Sequence, residues 1–560
     1  MTQPATVPPP APSSLRAAAT LVVVRDGSAG MEVLLLRRVE RSGDRSSGAF
    51  VFPGGTLDRG DRALHACCAG LDDAAACRRL GVGEHGLDFY VAAIRECFEE
   101  AGLLYAVDGT GALVLPPLDN AGLTALRAAL RHGETTLQAV CERFGLRLAV
   151  DRLAYHSYWL TPRGLPKRFD TRFFVAEAPP AQVASFDTHE TLEHRWIRPA
   201  DALADAAIKL PNATRHTLQA IAPFASARAC IEHARQQREI ECIFPRIGNG
   251  SRGQRAVMPY EAAYAEIGRI DPDAHGNASY ELEPGRLVRL SERVLRVTAP
   301  NGSIMTGPGT NTYFIGAPGT DAWAVIDPGP AMDEHVRAVV AAAPGPVRWI
   351  FATHTHRDHS PAAAALKQRT GAPLFGMTAR HAEWQDATFV PDHPLSHGAR
   401  IALGPGTTLR VIHTPGHASN HLCYLLEEEQ TLFTGDHVMQ GSTVVINPPD
   451  GDMAVYLDSL RGLLSEDLEW LAPGHGFLID RPHDAINRLI AHRLAREAKV
   501  VEALCAVGPT DVASLLARVY EDVPQHKHRV AQRSLLAHLL KLAAEGRAVE
   551  REGRWQMVPA

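Results

Sequence analysis

Short apolar runs at residues 21–24 and 33–36 flank Asp26-Gly27, the pattern of two strands joined by a turn, so the chain should open as a sheet. After Pro53-Gly54-Gly55 the pattern is irregular. Residues 88–101 then carry apolar side chains at helical spacing, and Gly102 is placed to end that helix. Residues 173–176 and 194–197 read as further strands, and 200–206 and 212–221 as helices. Beyond residue 235 the periodicity fades. Residues 236–284 are rich in Gly, Pro, Asp and Arg, which predicts an extended connector with a domain boundary inside it.

A second strand-rich stretch begins at 287–297 and 312–315. Residues 322–326 then run into Asp327-Pro328-Gly329, and strands and helices alternate from there, as in an α/β domain. After residue 499 helical stretches lead to Gly546, and 547–549 and 555–558 flank Glu552-Gly553 as a hairpin. That order resembles a winged helix. The chain shows no repeat of fixed period, and its two halves differ.

With 560 residues, 45% hydrophobic and 21% charged, the chain is long enough for two or more cores and too apolar for general disorder. A formal charge of -6 provides no chain-wide basic field, so nucleic acid would need a local patch. Nine cysteines, an odd number that includes adjacent Cys67 and Cys68, fit a reducing cytoplasm better than a disulfide framework. Residues 1–14 are Pro- and Ala-rich without signal-peptide layout, which predicts a disordered leader. No apolar run is long enough to span a bilayer, so a soluble protein without membrane partners is expected.

The strongest chemical signal is His354-Thr355-His356-Arg357-Asp358-His359, directly after the apolar run 347–352. A loop at a strand end lets imidazoles converge on one point without burying unsatisfied backbone. His417, Asp436 and His475 likewise follow apolar runs, at 409–412, 431–433 and 468–471, so seven ligands can meet at one sheet edge. Imidazoles and carboxylates without a thiolate suit zinc first, then manganese or iron.

This run, with its later His, Asp and His, resembles the metallo-β-lactamase superfamily over residues 285–495. The resemblance implies one metal on His354, His356 and His417, a second on Asp358, His359 and His475, and Asp436 bridging them. It further implies hydrolysis by a hydroxide held between two metals, with Asp358 as a catalytic carboxylate and no protein nucleophile. Asp327 matches a residue that orients a ligand loop, a role weighed evenly against that of a plain turn aspartate. Only residues 437–474 separate Asp436 from His475, which leaves no room for the inserted domain of the RNA-processing members that need one. Asn301-Gly302, Gly309-Thr310-Asn311-Thr312-Tyr313, the segment 492–497 and the terminal winged helix together resemble the β-lactamase-like protein 2 branch, some members of which are endoribonucleases. The terminal segment is nearly balanced in charge, so packing on the catalytic domain is favoured over nucleic-acid binding. His413 and His421 have no ligand role in that pattern and serve equally well as substrate contacts or as buried hydrogen-bonded histidines.

In the first half, Glu96, Glu99 and Glu100 lie at i, i+3 and i+4, where like charges repel unless solvent or a hard divalent cation separates them. Gly55 followed by Asp61, and then 95–103, resemble the two halves of the Nudix box. Asp61 stands where that family usually has Glu, and residues 62–94 fill a gap that is far shorter in most members. A similar interruption occurs in the branch that includes peroxisomal coenzyme A diphosphatases, which 34–38 and 168–174 also resemble. The resemblance covers 17–235. It implies that Glu96, Glu99 and Glu100 act as catalytic ligands for magnesium or manganese on a diphosphate, with Arg95 fixing the helix or a glutamate, and Glu190 or Glu193 as a candidate base. His65, Cys67, Cys68 and Cys77, inside the interruption, fit no common zinc spacing.

The fold expected is therefore an α/β multidomain chain. Residues 1–16 form a leader and 17–235 a Nudix-like α/β/α sandwich. A connector follows at 236–284, then a metallo-β-lactamase αβ/βα sandwich at 285–498 and a winged-helix segment at 499–560. The function expected is metal-dependent hydrolysis of a small-molecule thioester, ester, phosphodiester or diphosphate, and acyl-coenzyme A would unite the two chemistries. RNA cleavage is the first alternative. In the second, the split box has lost turnover and the front domain only binds a ligand.

Overall fold

The computed structural model describes residues 14–40, 47–113, 119–186 and 191–559. Most of the expected leader, and Glu190, lie outside these residues. Two compact units divide the chain after Pro245.

In the first unit, strands Leu15–Gly27 and Gly30–Arg38 pair antiparallel, and Leu15–Gly27 also runs parallel to Arg168–Glu177 at the centre of an eight-stranded sheet. The first strand thus starts inside the stretch expected as leader, because Leu15 and Arg16 pair with Arg168 and Phe169. The hairpin turn falls at Ser28-Ala29 rather than at Asp26-Gly27, since the ladder continues to Gly27 opposite Gly30.

Alternation along the first strand buries Ala19, Leu21 and Val23 in one core with the helix Gly86–Ala101. Helix Ala227–Gln236 packs on strands Ala154–Leu160 and Arg168–Glu177. The helix Asn212–Ile221 has the expected bounds. Gly102, in the left-handed conformation at φ 71°, ends the glutamate helix as expected.

The second unit is built on a seven-stranded and a six-stranded sheet. Tyr313, Ile326 and Phe351 of the first face Leu409, Tyr424 and Phe433 of the second in a shared core. Helices Asp333–Ala342 and Ala362–Thr370 cover the outside of the first sheet, and Met453–Leu463 and Pro482–Val507 that of the second. The layers run helix, sheet, sheet, helix.

The stretch expected as a plain connector, 236–284, carries more structure than its weak periodicity suggests. It contains the hairpin Arg246–Gly248 with Arg255–Val257 and the helix Tyr264–Ile270. Val257, Ile267 and Phe477 share a small core there, and Glu266 forms a buried bidentate pair with Arg296.

Helix Pro482–Val507 passes without a break through the boundary expected at 498/499. Helices Val512–Val519 and His528–Ala544 follow, and the hairpin Ala548–Arg551 with Arg554–Met557 brackets Glu552-Gly553 as expected. Among the described residues no helix is long and apolar enough to cross a membrane.

Candidate functional site

In the second unit, the loop after strand Val347–Phe351 carries His354, His356, Asp358 and His359. His417 lies between strands Thr407–His413 and Leu422–Leu426, Asp436 follows Thr431–Gly435, and His475 follows Trp470–Pro473. The first four come from the seven-stranded sheet and the last three from the six-stranded sheet. The expected single sheet edge is therefore the joint rim of two sheets, because ligands on both sides of the shared core can face one another only there.

Their ligand atoms form two groups. His354, His356 and His417 make the first, and Asp358, His359, Asp436 and His475 the second, with all atoms of each within 4.8 Å of one another. Asp436 reaches both: Oδ1 lies 3.3 Å from His359 Nε2 and 3.2 Å from His475 Nε2, while Oδ2 lies 3.7 Å from His417 Nε2. Gly474 lies directly beneath, where a Cβ would come within 2.7 Å of His359 Cε1 and 3.0 Å of Asp436 Oδ1.

The rings are held from behind. His359 Nδ1 donates to Asp327 Oδ2 at 2.9 Å, His417 Nδ1 to Val445 O at 2.8 Å, and His475 Nδ1 to Gly309 O at 3.1 Å. His354 Nδ1 meets Thr353 Oγ1 at 3.0 Å, and Thr353 donates through N and Oγ1 to both oxygens of Asp327. Each of these four rings thereby turns Nε2 toward the centre, the tautomer a cation requires. Asp327 is thus more than a turn aspartate.

A cation fits this donor set. His356 Nδ1 stands 2.9 Å from both His354 Nε2 and His417 Nε2, so three ring nitrogens converge on one point, as the ligands of a cation do. In the second group His359 Nε2, His475 Nε2 and Asp436 Oδ1 are buried and lack a hydrogen-bond partner, which is costly unless something is coordinated there.

Electrostatics separate the two groups. Burial, reinforced by neighbouring imidazoles, holds His354 well below the ordinary histidine range and His356 down at about 3, so the first group is neutral. Burial acts the same way on His475, but Asp436 and Asp358 override it and raise the ring to about 9. Burial likewise opposes ionisation of Asp436, yet His475 and His359 hold its carboxyl well below the usual range.

One contributor, Thr353, carried no spacing signal. Thr353 ties Asp327 to His354. His421 is fully buried, accepts from Asp436 N at 3.3 Å and meets Thr414 Oγ1 at 2.9 Å, which makes it a hydrogen-bonded structural histidine. His413 contacts Ser419 O at 3.1 Å. The motif 309–313 has a physical explanation: Asn311 Nδ2 donates to Pro473 O and Gly476 O, fastening the loop that bears His475.

In the first unit, the split box closes in space. Arg95 Nε donates to Asp61 Oδ1 at 2.7 Å and Nη2 to Asp61 Oδ2 at 3.1 Å. Its Nη1 donates to Glu96 Oε1 at 2.7 Å and to Glu99 Oε2 at 3.4 Å. Glu100 Oε2 accepts from Gly54 N at 2.9 Å. A Cβ on Gly55 would lie 2.4 Å from Glu96 Cδ, so only glycine allows that approach. Residues 62–94 leave as a short helical turn, helix Asp73–Leu80 and the start of the glutamate helix, and return Arg95 to Asp61.

Burial, with Glu96 and Asp61 adding to it against the pull of Arg95, raises Glu99 to about 7. Among the described residues the glutamates do not bring three ligand atoms within 4.8 Å. Glu193 sits in strand Thr191–Ile197 and pairs with Arg195. His65 contacts Asp88 at 2.6 Å, and Cys77 accepts from Gly86 N, so the interruption gathers no ligand cluster.

The family model of the metallo-beta-lactamase superfamily matches residues 305–475, that of the NUDT19 Nudix domain 82–209, and that of the beta-lactamase associated winged helix domain 512–555. The chain is 30% identical to the beta-lactamase-like protein 2 homolog of Drosophila melanogaster, over 47% of this chain and 91% of the fly protein. It is 31% identical to an atrochrysone carboxyl ACP thioesterase of Aspergillus chevalieri, over 48% of this chain and 88% of that one. A solved NUDIX hydrolase of Alicyclobacillus acidocaldarius is 27% identical, covers 39% of this chain and 96% of its own, and has a TM-score of 0.34. The chain belongs to the metallo-beta-lactamase superfamily, as a metal-dependent hydrolase that also carries a Nudix domain and a winged helix domain.

Proposed function

We propose that the second unit hydrolyses a thioester at a binuclear centre and that the first hydrolyses a diphosphate, with acyl-coenzyme A derivatives carrying both bonds. The observation that supports this most is the single carboxylate of Asp436 reaching toward both ligand groups. His354, His356 and His417 would hold one cation and Asp358, His359 and His475 the other, zinc before manganese or iron by donor type. Such a pair of cations lowers the pKa of water and polarises the carbonyl under attack.

The protein's own part is orientation and proton handling. Asp327, Val445 O and Gly309 O fix the ring tautomers. The Asp358 side chain, at 28% exposure against 11% or less for its three partners, is the carboxylate best placed to take a proton from attacking water. Water adds to the thioester carbon, the C–S bond breaks, and the sulfur leaves as a thiol with that proton. The thioesterase relative from Aspergillus chevalieri supports a thioester over a phosphodiester. In the first unit, Glu96, Glu99 and Glu100 would hold magnesium or manganese against the diphosphate while Arg95 orients Glu96.

Incubating the full-length protein with acyl-coenzyme A should release free thiol and phosphopantetheine. Release of neither would overturn the reading, and cleavage of single-stranded RNA lost in His356→Ala would establish the ribonuclease alternative instead.

A further inference from the structure

Helix Pro482–Val507 turns one face inward. Ile486, Val500 and Leu504 are buried on it, and so are three charged residues, Arg493, Arg496 and Glu497. A charge at a core position needs a partner. Arg496 has one in Asp522, at 2.8 and 3.1 Å. Glu497 is satisfied by His538, Lys541 and Arg547. Arg493 differs from both. It is 3% exposed, its Nη2 donates to Val444 O, its guanidinium lies 5.6 Å from the Tyr456 ring, and its Nε has no partner. Among the described residues no carboxylate pairs with it.

Arg493 also lines a cavity of about 340 Å³ that has His417 and Asp436 of the metal centre in its wall. The rest of that wall is mixed, with Val444 from the catalytic domain and Val523 and Val530 from the winged-helix segment beside polar His492, Arg496 and Tyr520. Lys527 adds a second cation that makes no ion pair among the described residues. The cavity thus joins the metal-ligand cluster, a partly apolar wall supplied by the winged-helix segment, and a buried guanidinium without a carboxylate partner.

We propose that Arg493 is a substrate-binding residue that takes an anionic group carried by the substrate, and that the winged-helix segment forms the wall that sizes the arm between that anion and the scissile bond. The inference rests on reading the metal centre as hydrolytic. A carboxylate or phosphate at Arg493 supplies the missing counter-charge, which a neutral arm of equal length does not. The anion has two sources, a carboxylate at the far end of the acyl chain or the phosphate of a pantetheine leaving group.

The test is calorimetric binding of non-cleavable thioethers to the metal-loaded full-length protein. Three probes distinguish the sources: a hexyl thioether of N-acetylcysteamine ending in methyl, the same ending in carboxylate, and the hexyl thioether of phosphopantetheine. One of the two anionic probes should bind at least about tenfold tighter than the methyl probe, the scale of one charge-assisted hydrogen bond. That preference should vanish in Arg493→Gln and return in part in Arg493→Lys, while affinity for the methyl probe changes little in either. Equal binding of all three probes, or an anion preference that survives Arg493→Gln, overturns the proposal. If Arg493→Gln does not fold, Arg493→Lys alone decides, since a purely structural arginine would weaken all probes alike. Anion-dependent binding without turnover of any thioester would leave the Arg493 site standing and overturn the thioesterase reading.

Discussion

Asp327 holds a left-handed backbone, at φ 51°, and spends both carboxylate oxygens on the ligand loop, one on Thr353 N and the other on Thr353 Oγ1 and His359 Nδ1. Its charge therefore sets one ligand directly and a second through Thr353. Asp327→Asn should lower transition-metal affinity by about 10- to 100-fold while leaving the fold intact. Competition with a chromophoric chelator reads this, and unchanged affinity would make Asp327 a turn residue after all. At this scale the residues that meet in the cluster were legible, because imidazoles and carboxylates stand at the ends of apolar runs. Thr353 was not, since a threonine before a histidine has no spacing to betray it. Arg493 was visible only as part of a family-like segment, and its missing partner is a fact of packing.

Among the elements, helix Asn212–Ile221 and the wing hairpin follow from periodicity and turn chemistry alone. The glutamate helix begins at Gly86, ahead of the expected residue 88, because its N-terminus is set by the left-handed His85, which no capping side chain announces. The three-residue strands at Arg246–Gly248 and Arg255–Val257 are too short for alternation to register. Periodicity also misses the charged seam of helix Pro482–Val507.

That seam has a measurable consequence. Burial works against the Glu497 carboxylate, but His538 and Lys541 hold it down to about 2, against an ordinary 4.5. A depressed carboxylate adds stability that is complete above 4.5 and is lost as pH falls toward 2. The winged-helix segment should therefore lose on the order of 2 kcal/mol across that window, allowing for screening near exposed Arg547. Thermal unfolding followed from pH 7 to 3 should show the loss in the wild type and a flatter profile in Glu497→Gln. Parallel profiles for the two proteins would contradict it.

For the whole molecule, the proposed function assigns the two units separate chemistries built from separate residues. His356 meets His354 and His417, while Glu100 meets Gly54 of the split box. His356→Ala should cut thioester hydrolysis by at least about 100-fold and spare diphosphate hydrolysis, and Glu100→Gln should do the reverse. Assaying free thiol and adenosine 3′,5′-bisphosphate release from one acyl-coenzyme A reaction checks both variants at once. A variant that removes both activities would point to one shared site. The order of domains was legible because each carries its own motif. The meeting of ligands from two sheets was not, because a sequence orders residues along one line and the rim exists only after both sheets have packed face to face.

On the proposed reading, seven side chains from two sheets grip a pair of cations, with Asp436 between them. Elemental analysis of the full-length protein by inductively coupled plasma mass spectrometry, after reconstitution with zinc, manganese or iron and removal of excess metal, tests it most directly. About two transition-metal ions per chain are expected, falling to one or fewer in Asp436→Ala. A wild type that retains none, or an Asp436→Ala variant that retains as many as the wild type, would contradict it.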